Sequence, residues 1–267
     1  MEGPGRADRE RDATALIPVA VAPRLRALPM PPSDRPPLYF REVGVGPVLV
    51  FVHGIGVSSR YFVPLMQELA GSFRCVAPDL PGYGHSPGPK LALDVPGLAD
   101  ALAAFLDVLG IPPANVTLVA NSLGCQVIAA LAERDPERTA PLVLIAPTLD
   151  PATRDHFWRS VLRASIREPL SLLPILLVDY LRFGLRRFIA TSRHALADDI
   201  ALRLPKIRVP VLVIEGGRDR IVTVPWATHL ARLLPRGQFA LVADAAHAVH
   251  YSRPAVVAGL IRTFLGG

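Results

Sequence analysis

Val119-Ala120-Asn121-Ser122-Leu123-Gly124-Cys125 follows a strand-like run and opens a helix-like one. A serine between small residues at a sharp strand-to-helix turn is how a sheet protein holds a hydroxyl nucleophile clear of its backbone. Such a turn is strained and bulky flanks would clash; Ala120 and Gly124 are small enough. Leu123 then offers its backbone N–H beside the hydroxyl, at the positive end of the helix it begins. The stretch departs from G-x-S-x-G in Ala120, a mild exchange for the first glycine. An ordinary strand–helix junction containing serine is the competing reading of this stretch taken alone.

Upstream, residues 47–53 (PVLVFVH) are a continuous apolar run, the mark of a strand buried on both faces. It ends in His53-Gly54-Ile55-Gly56, whose glycines permit a tight turn and bring N–H groups close to a ligand. Ile55 is therefore the expected second oxyanion donor, paired with Leu123. Residues 73–78 lead into DLPGYGHS at 79–86, a Gly/Pro-rich loop leaving a strand end. Downstream, residues 210–215 read as another buried strand, followed by Gly216-Gly217-Arg218-Asp219. Residues 238–243 give a last strand, with Ala245-Ala246-His247 in the turn after it.

With these pieces in this order, the chain resembles the α/β-hydrolase family over residues 38–267. The HGxG loop at 53–56, the DLPGYGHS loop, the Ser122 elbow, GGRD at 216–219 and AAHAVH at 245–250 follow the family's sequence of nucleophile, acid and histidine. The resemblance implies an α/β fold, with a mostly parallel central sheet, helices on both faces and an inserted helical cap. It divides the chain into an N-terminal extension at 1–37, a core at 38–149 and 205–267, and a cap at 150–204.

A serine hydroxyl is a poor nucleophile at neutral pH, so a neighbouring base must take its proton. His247, where the family keeps its histidine, is the expected base. Asp219 would hold the imidazole tautomer and stabilise its cation, and the Ile55 and Leu123 amides would bind the oxyanion. Asp150, after the strand-like run at 141–146, is a rival acid, because some family members carry theirs at that strand end. Asp244 lies near His247 in sequence but reads as a turn residue. Asp219 is preferred because it fits G-x-x-D.

His53 is usually structural in this family, its ring supporting the turn. His85 reads as a loop residue, and His250 either lines the site mouth or faces solvent. His156, His194 and His229 lie in helix-like segments without partners at metal-ligand spacing, and there is no HExxH, so neither metal nor cofactor is expected. Cys125, three residues past Ser122, reads as packing.

Between 150 and 204 the strand pattern gives way to helix-like stretches at 155–166, 170–189 and 193–203. Phe157, Trp158, Leu173, Ile175, Leu176, Leu177, Tyr180, Leu181 and Phe183 make this cap apolar, suiting an apolar acyl or alcohol group. Residues 170–178 are too short to span a bilayer and are interrupted by Pro174 and Asp179, so no stable membrane insertion is expected. Arg182, Arg186 and Arg187 fit either a basic amphipathic face that docks on a surface or a solvated charged face, the latter being the simpler reading.

The net charge of +6 comes almost wholly from arginine, since Lys90 and Lys206 are the only lysines. The arginines are interleaved with Asp and Glu, without the basic face of a nucleic-acid binder, so no nucleic-acid partner is expected. Cys75 and Cys125 form no disulfide framework, which suits a reducing, cytoplasmic setting. Residues 2–12 alternate charges without an apolar period and read as disordered. Pro18 and Pro23 interrupt the apolar stretch behind them, and no secretory signal is read there. The segment through Leu28 is expected as an edge strand and residues 29–37 as a stiff connector.

The expected reaction is hydrolysis of a carboxylic ester or related acyl small molecule. Asn121 before the nucleophile also resembles carbon–carbon bond hydrolases of ring-fission products. Thioesterase, cofactor-free perhydrolase and non-catalytic ligand-binding activities are compatible with the same fold.

Overall fold

In the computed structural model the described residues are 22–32, 35–111, 116–134, 140–148, 150–154, 159 and 168–266. Their strands are β1 (Arg24–Met30), β2 (Arg35–Val43), β3 (Val48–Val52), β4 (Arg74–Pro78), β5 (Val116–Asn121), β6 (Leu142–Ile145), β7 (Val211–Gly216) and β8 (Gly237–Val242). They form one sheet in the order β1-β2-β4-β3-β5-β6-β7-β8. β2 runs antiparallel to both β1 and β4, and every other pairing is parallel.

The helices among the described residues are α1 (Val63–Leu69), α2 (Val95–Val108), α3 (Leu123–Arg134), α4 (Pro151–Arg154), α5 (Leu173–Phe183), α6 (Leu185–Ala197), α7 (Val224–Leu233), α8 (Val249–Ser252) and α9 (Pro254–Phe264). The inner strands explain why helices cover both faces. Successive side chains point to opposite sides, and here both sides are apolar. Val50 and Val52 of β3, Leu118 and Ala120 of β5 and Leu142 and Leu144 of β6 pack into one core with α2, α3 and α7. Leu49, Phe51, Val119, Val143 and Ile145 pack into the other with α1 and α9. Asp94 and Thr223 start α2 and α7 by accepting from the amides of Gly97 and Trp226, each followed by a proline in the first turn.

The expected connector at 29–37 is strand at both ends. Pro29 and Met30 complete β1, and Arg35 opens β2 by donating to the Pro32 carbonyl at 2.9 Å. Pro29 is tolerated because β1 is an edge strand and the residue falls at the register shift between Leu28 and Met30. The disordered stretch expected at 2–12, the helix expected at 155–166, and with it His156, Phe157 and Trp158, lie outside the described residues.

The helix expected at 170–189 is two helices, α5 and α6, broken at Gly184, whose φ of 77° belongs to the left-handed region. Both sit over the carboxyl ends of the parallel strands. Asp179 of α5 accepts from Ser58 Oγ at 2.7 Å and pairs with Arg60 at 2.8 Å. Gln126 of α3 donates to the Ala195 and Asp198 carbonyls at the end of α6. Leu172 and Leu176 close a small apolar cluster with Val57, Tyr61 and Ala248.

Candidate active site

Ser122 occupies the turn between β5 and α3 with φ of 56°, a left-handed conformation rare for a residue with a Cβ. Its amide donates to the Ile145 carbonyl at 3.0 Å, and its own carbonyl accepts from Cys125. Two close approaches make the turn possible. A Cβ on Gly124 would lie 2.3 Å from the Val52 carbonyl oxygen, so only glycine lets α3 pack onto β3. A Cβ on Gly54 would lie 3.1 Å from that of Ser122, which places the HGxG loop directly against the serine. Ala120 is fully buried in the core and needs no such clearance.

His247 and Asp219 meet directly: the imidazole Nδ1–H donates to Oδ2 at 2.7 Å. The other carboxylate oxygen accepts from the amides of Ile221 at 2.7 Å and Val222 at 3.2 Å. Burial alone would raise the Asp219 pKa, but the attraction of His247 and these hydrogen bonds leave it below its ordinary value. For His247, burial lowers the pKa, while the charges of Asp219 and Glu168 outweigh it and leave it raised. The histidine loop is tied to the elbow by Asn121, whose side-chain amide donates to the carbonyls of Ile145 at 3.2 Å and His247 at 3.4 Å. No hydrogen bond joins Ser122 Oγ to a described residue. The amides of Ile55 and Leu123 likewise donate to no described residue.

The rival acids are engaged elsewhere. Asp150 accepts from the amides of Ala152 at 2.8 Å and Thr223 at 3.0 Å, so it fastens α4 to the start of α7. Asp244 pairs with Arg253 at the surface.

His53 is buried, accepts from the Leu80 amide at Nε2 (3.1 Å) and donates from Nδ1 to the Gly54 carbonyl (2.9 Å). It therefore pins the HGxG loop to the DLPGYGHS loop, and burial keeps it neutral by lowering its pKa. His85 stands between Asp79 and Arg182 of α5. His250 neither lines a mouth nor faces solvent: it is fully buried, its ring centroid 4.3 Å from that of Tyr61 and 4.4 Å from that of Phe62. Cys125 is buried and its thiol pKa is driven up by burial, the opposite of what a nucleophile needs. Among the described residues no cluster of His, Cys, Asp and Glu could hold a metal ion.

Two carboxyl groups beside this pair escape sequence reasoning. Glu168, just ahead of α5, accepts from the Ala248 amide at 2.9 Å. Glu215, the penultimate residue of β7, is fully buried and accepts from its neighbour Gly216. Glu168 stands in no periodic segment, and Glu215 ends an apolar strand whose face assignment needs the sheet. The only local signal is a glutamate closing the apolar run before GGRD.

The profile of the alpha/beta hydrolase family matches residues 49–260, a span that holds the HGxG loop, the elbow, Asp219 and His247. The chain belongs to the alpha/beta hydrolase family. Among relatives of this hydrolase is a pimeloyl-[acyl-carrier protein] methyl ester esterase of Stenotrophomonas maltophilia, 28% identical over 86% of this chain and 97% of the relative. A dihydrolipoyllysine-residue acetyltransferase component of the acetoin cleaving system of Cupriavidus necator is also 28% identical over 86% of this chain, which spans 66% of that longer protein. The solved structure of an E-2-(acetamidomethylene)succinate hydrolase superposes with a TM-score of 0.76 over 92% of this chain and 100% of that one; at 22% identity the likeness is one of fold.

Proposed function

We propose that this hydrolase cleaves carboxylic esters carrying an apolar group, with Ser122 as nucleophile, His247 as general base and Asp219 as its orienting acid. The observation that carries this reading is the 2.7 Å Asp219–His247 hydrogen bond on a loop tied to the strained Ser122 turn. With Nδ1–H held by Asp219, the free Nε2 lone pair takes the Ser122 proton as Oγ attacks the ester carbonyl. The Ile55 and Leu123 amides receive the oxyanion. The imidazolium then protonates the departing alcohol, leaving an acyl group on Ser122. Water, deprotonated by the same Nε2, releases the acid and restores the serine.

The ester-hydrolysing relative from Stenotrophomonas supports this bond class. Asn121, which in sequence suggests carbon–carbon cleavage, has its side-chain amide engaged by the Ile145 and His247 carbonyls, so its position before the serine has a structural explanation.

The test is hydrolysis of p-nitrophenyl esters from acetate to palmitate by the full chain and by Ser122→Ala. Turnover by the native chain alone is expected, and its chain-length optimum measures the acyl site. Equal release by the serine variant, or none by either protein, would overturn the proposal.

A further inference from the structure

The cap turns apolar side chains outward as well as inward. On α5, Leu172 just before the helix, Leu176 and Phe183 are buried, whereas Leu173, Leu177 and Leu181, four residues apart, form an exposed row. Leu170 before the helix and Leu185 after it extend that row. Exposure reaches 82% at Leu170, 61% at Leu177, 74% at Leu181 and 73% at Leu185, so these are protruding side chains and not the margins of a core. Leu170, Leu173, Pro174, Leu176, Leu177 and Tyr180 line an open concavity of about 650 Å³ that runs from this row toward the inner side of α5.

The exposed charge within residues 168–190 has one sign. Arg182 and Arg186 are exposed beside the row, and neither forms an ion pair with a described residue. Between 168 and 190 the only acids are Glu168 and Asp179, and both are buried, one against Ala248 and the other against Ser58 and Arg60. A merely solvated face would intersperse acids with its arginines and would not carry a row of leucines.

We infer that the outer face of α5 and the start of α6 docks peripherally on an anionic lipid bilayer, with the leucines entering the acyl boundary and the arginines meeting headgroup phosphates. The combination of protruding aliphatic side chains with an acid-free basic margin fits that surface. An acidic protein would match the arginines but leave the leucines without the deep apolar contact they offer. No helix among the described residues is long and apolar enough to cross a membrane, so the attachment is to one leaflet's surface.

The docked face stands directly above the candidate site. Tyr180, on the inner side of α5, lies so close to Gly56 that a Cβ there would be 2.5 Å from the tyrosine ring. Only the thickness of one helix, about 10 Å, separates the exposed leucines from the HGxG loop. That this position delivers lipid esters to Ser122 rests on the function proposed above; the docking itself does not.

Co-sedimentation of the full chain with vesicles tests it, using phosphatidylcholine alone and phosphatidylcholine mixed with phosphatidylglycerol, at low and high salt. Binding is expected only to the anionic vesicles and is expected to weaken with salt. Leu177→Ser/Leu181→Ser should abolish it, and Arg182→Gln and Arg186→Gln should each weaken it by about fivefold. Ser122→Ala should bind like the native chain, which separates failure of docking from failure of the catalytic reading. Near-ultraviolet circular dichroism checks that each variant is folded. No binding by the native chain, equal binding to neutral vesicles, or binding indifferent to all these substitutions would overturn the inference. So would capture of an acidic acyl carrier protein by the same face without vesicle binding.

Discussion

Glu168, just ahead of α5, reaches the histidine loop, where its Oε1 accepts from the Ala248 amide at 2.9 Å. The residue it holds is the immediate neighbour of His247, so the seating of the segment leading into α5 and the placement of the candidate base share one hydrogen bond. Its second oxygen, Oε2, is buried without a partner. Burial, opposed by the Ala248 amide and His247, raises the carboxyl's pKa. Two variants separate its functions. Glu168→Gln keeps an acceptor for Ala248 but no charge, so His247 loses one of the influences that raise its pKa. The acidic limb of kcat/KM should move to lower pH with little loss on the plateau. Glu168→Ala leaves the buried amide unpaired, at a cost of about 1–3 kcal/mol. Its plateau kcat/KM should fall by about tenfold, equivalent to about 1.4 kcal/mol of lost positioning. Ester hydrolysis against pH reads both, and identical profiles for all three proteins would remove Glu168 from the site.

Asp219 and Asp150 give opposite expectations although both are buried aspartates. Asp219→Asn should lower kcat by about 10⁴-fold, because an amide favours the wrong imidazole tautomer. Asp150→Asn should leave kcat near the native value and reduce stability by about 1–2 kcal/mol, since its one amide oxygen can replace only one of the two carboxylate oxygens that accept from Ala152 and Thr223. In the native protein, activity should fall as pH drops through a value above histidine's ordinary one, because His247 is raised and its protonated form cannot act as a base. Kinetics and thermal melts on the same preparations check these. Activity loss in the Asp150 variant alone would reverse the assignment of the acid.

The parts legible in sequence are those whose physics is local. Strands β3 and β6, and β7 up to Glu215, are buried on both faces, so they appear as apolar runs that need no partner to be recognised. The loops at their ends carry glycines because backbone passes too close for a Cβ, as Gly54 does against Ser122 and Gly124 against Val52. Helices α5 and α6 obey no such rule. Leu176 and Leu177 are identical in composition and adjacent in sequence, yet one is buried and the other exposed, and only the seating of α5 on Val57 and Tyr61 decides which. Gly184 is ordinary in sequence and breaks a helix in the structure. His250 reads as a polar residue and is buried because Tyr61 and Phe62 arrive from the far side of the fold. Glu168, Asp179 and Glu215 depend on contacts more distant still.

The Ser122 conformation couples stability against the chemistry. At φ of 56° a side chain bearing a Cβ costs about 1 kcal/mol relative to glycine, even after the greater freedom of unfolded glycine is counted. Ser122→Ala removes the proposed nucleophile and keeps the strain; Ser122→Gly removes both. The glycine variant should therefore melt about 2–4 °C above the alanine variant, while neither hydrolyses ester. Differential scanning calorimetry of the pair decides this, and equal melting temperatures would mean that the turn is unstrained.

Glu215 should make the stability of the fold pH-dependent. Its carboxyl is fully buried beside Asp219, with Oε1 on the Gly216 amide and Oε2 without a partner. Burial first, and then the charge of Asp219, hold its pKa well above the ordinary carboxylate range, the Gly216 amide opposing only in part. A folded-state value raised above the unfolded one means that the protonated form stabilises the fold. That stability is complete below the unfolded value and drains away as pH rises through the folded one. Glu215→Gln keeps the acceptor for Gly216 and cannot ionise. Melting curves of the native chain and the Glu215→Gln variant should therefore separate as pH rises, by about 2–4 °C for each kcal/mol of ionisation cost. Curves that stay parallel from acid to alkaline pH would show that this carboxyl ionises in the folded protein as freely as in the unfolded chain.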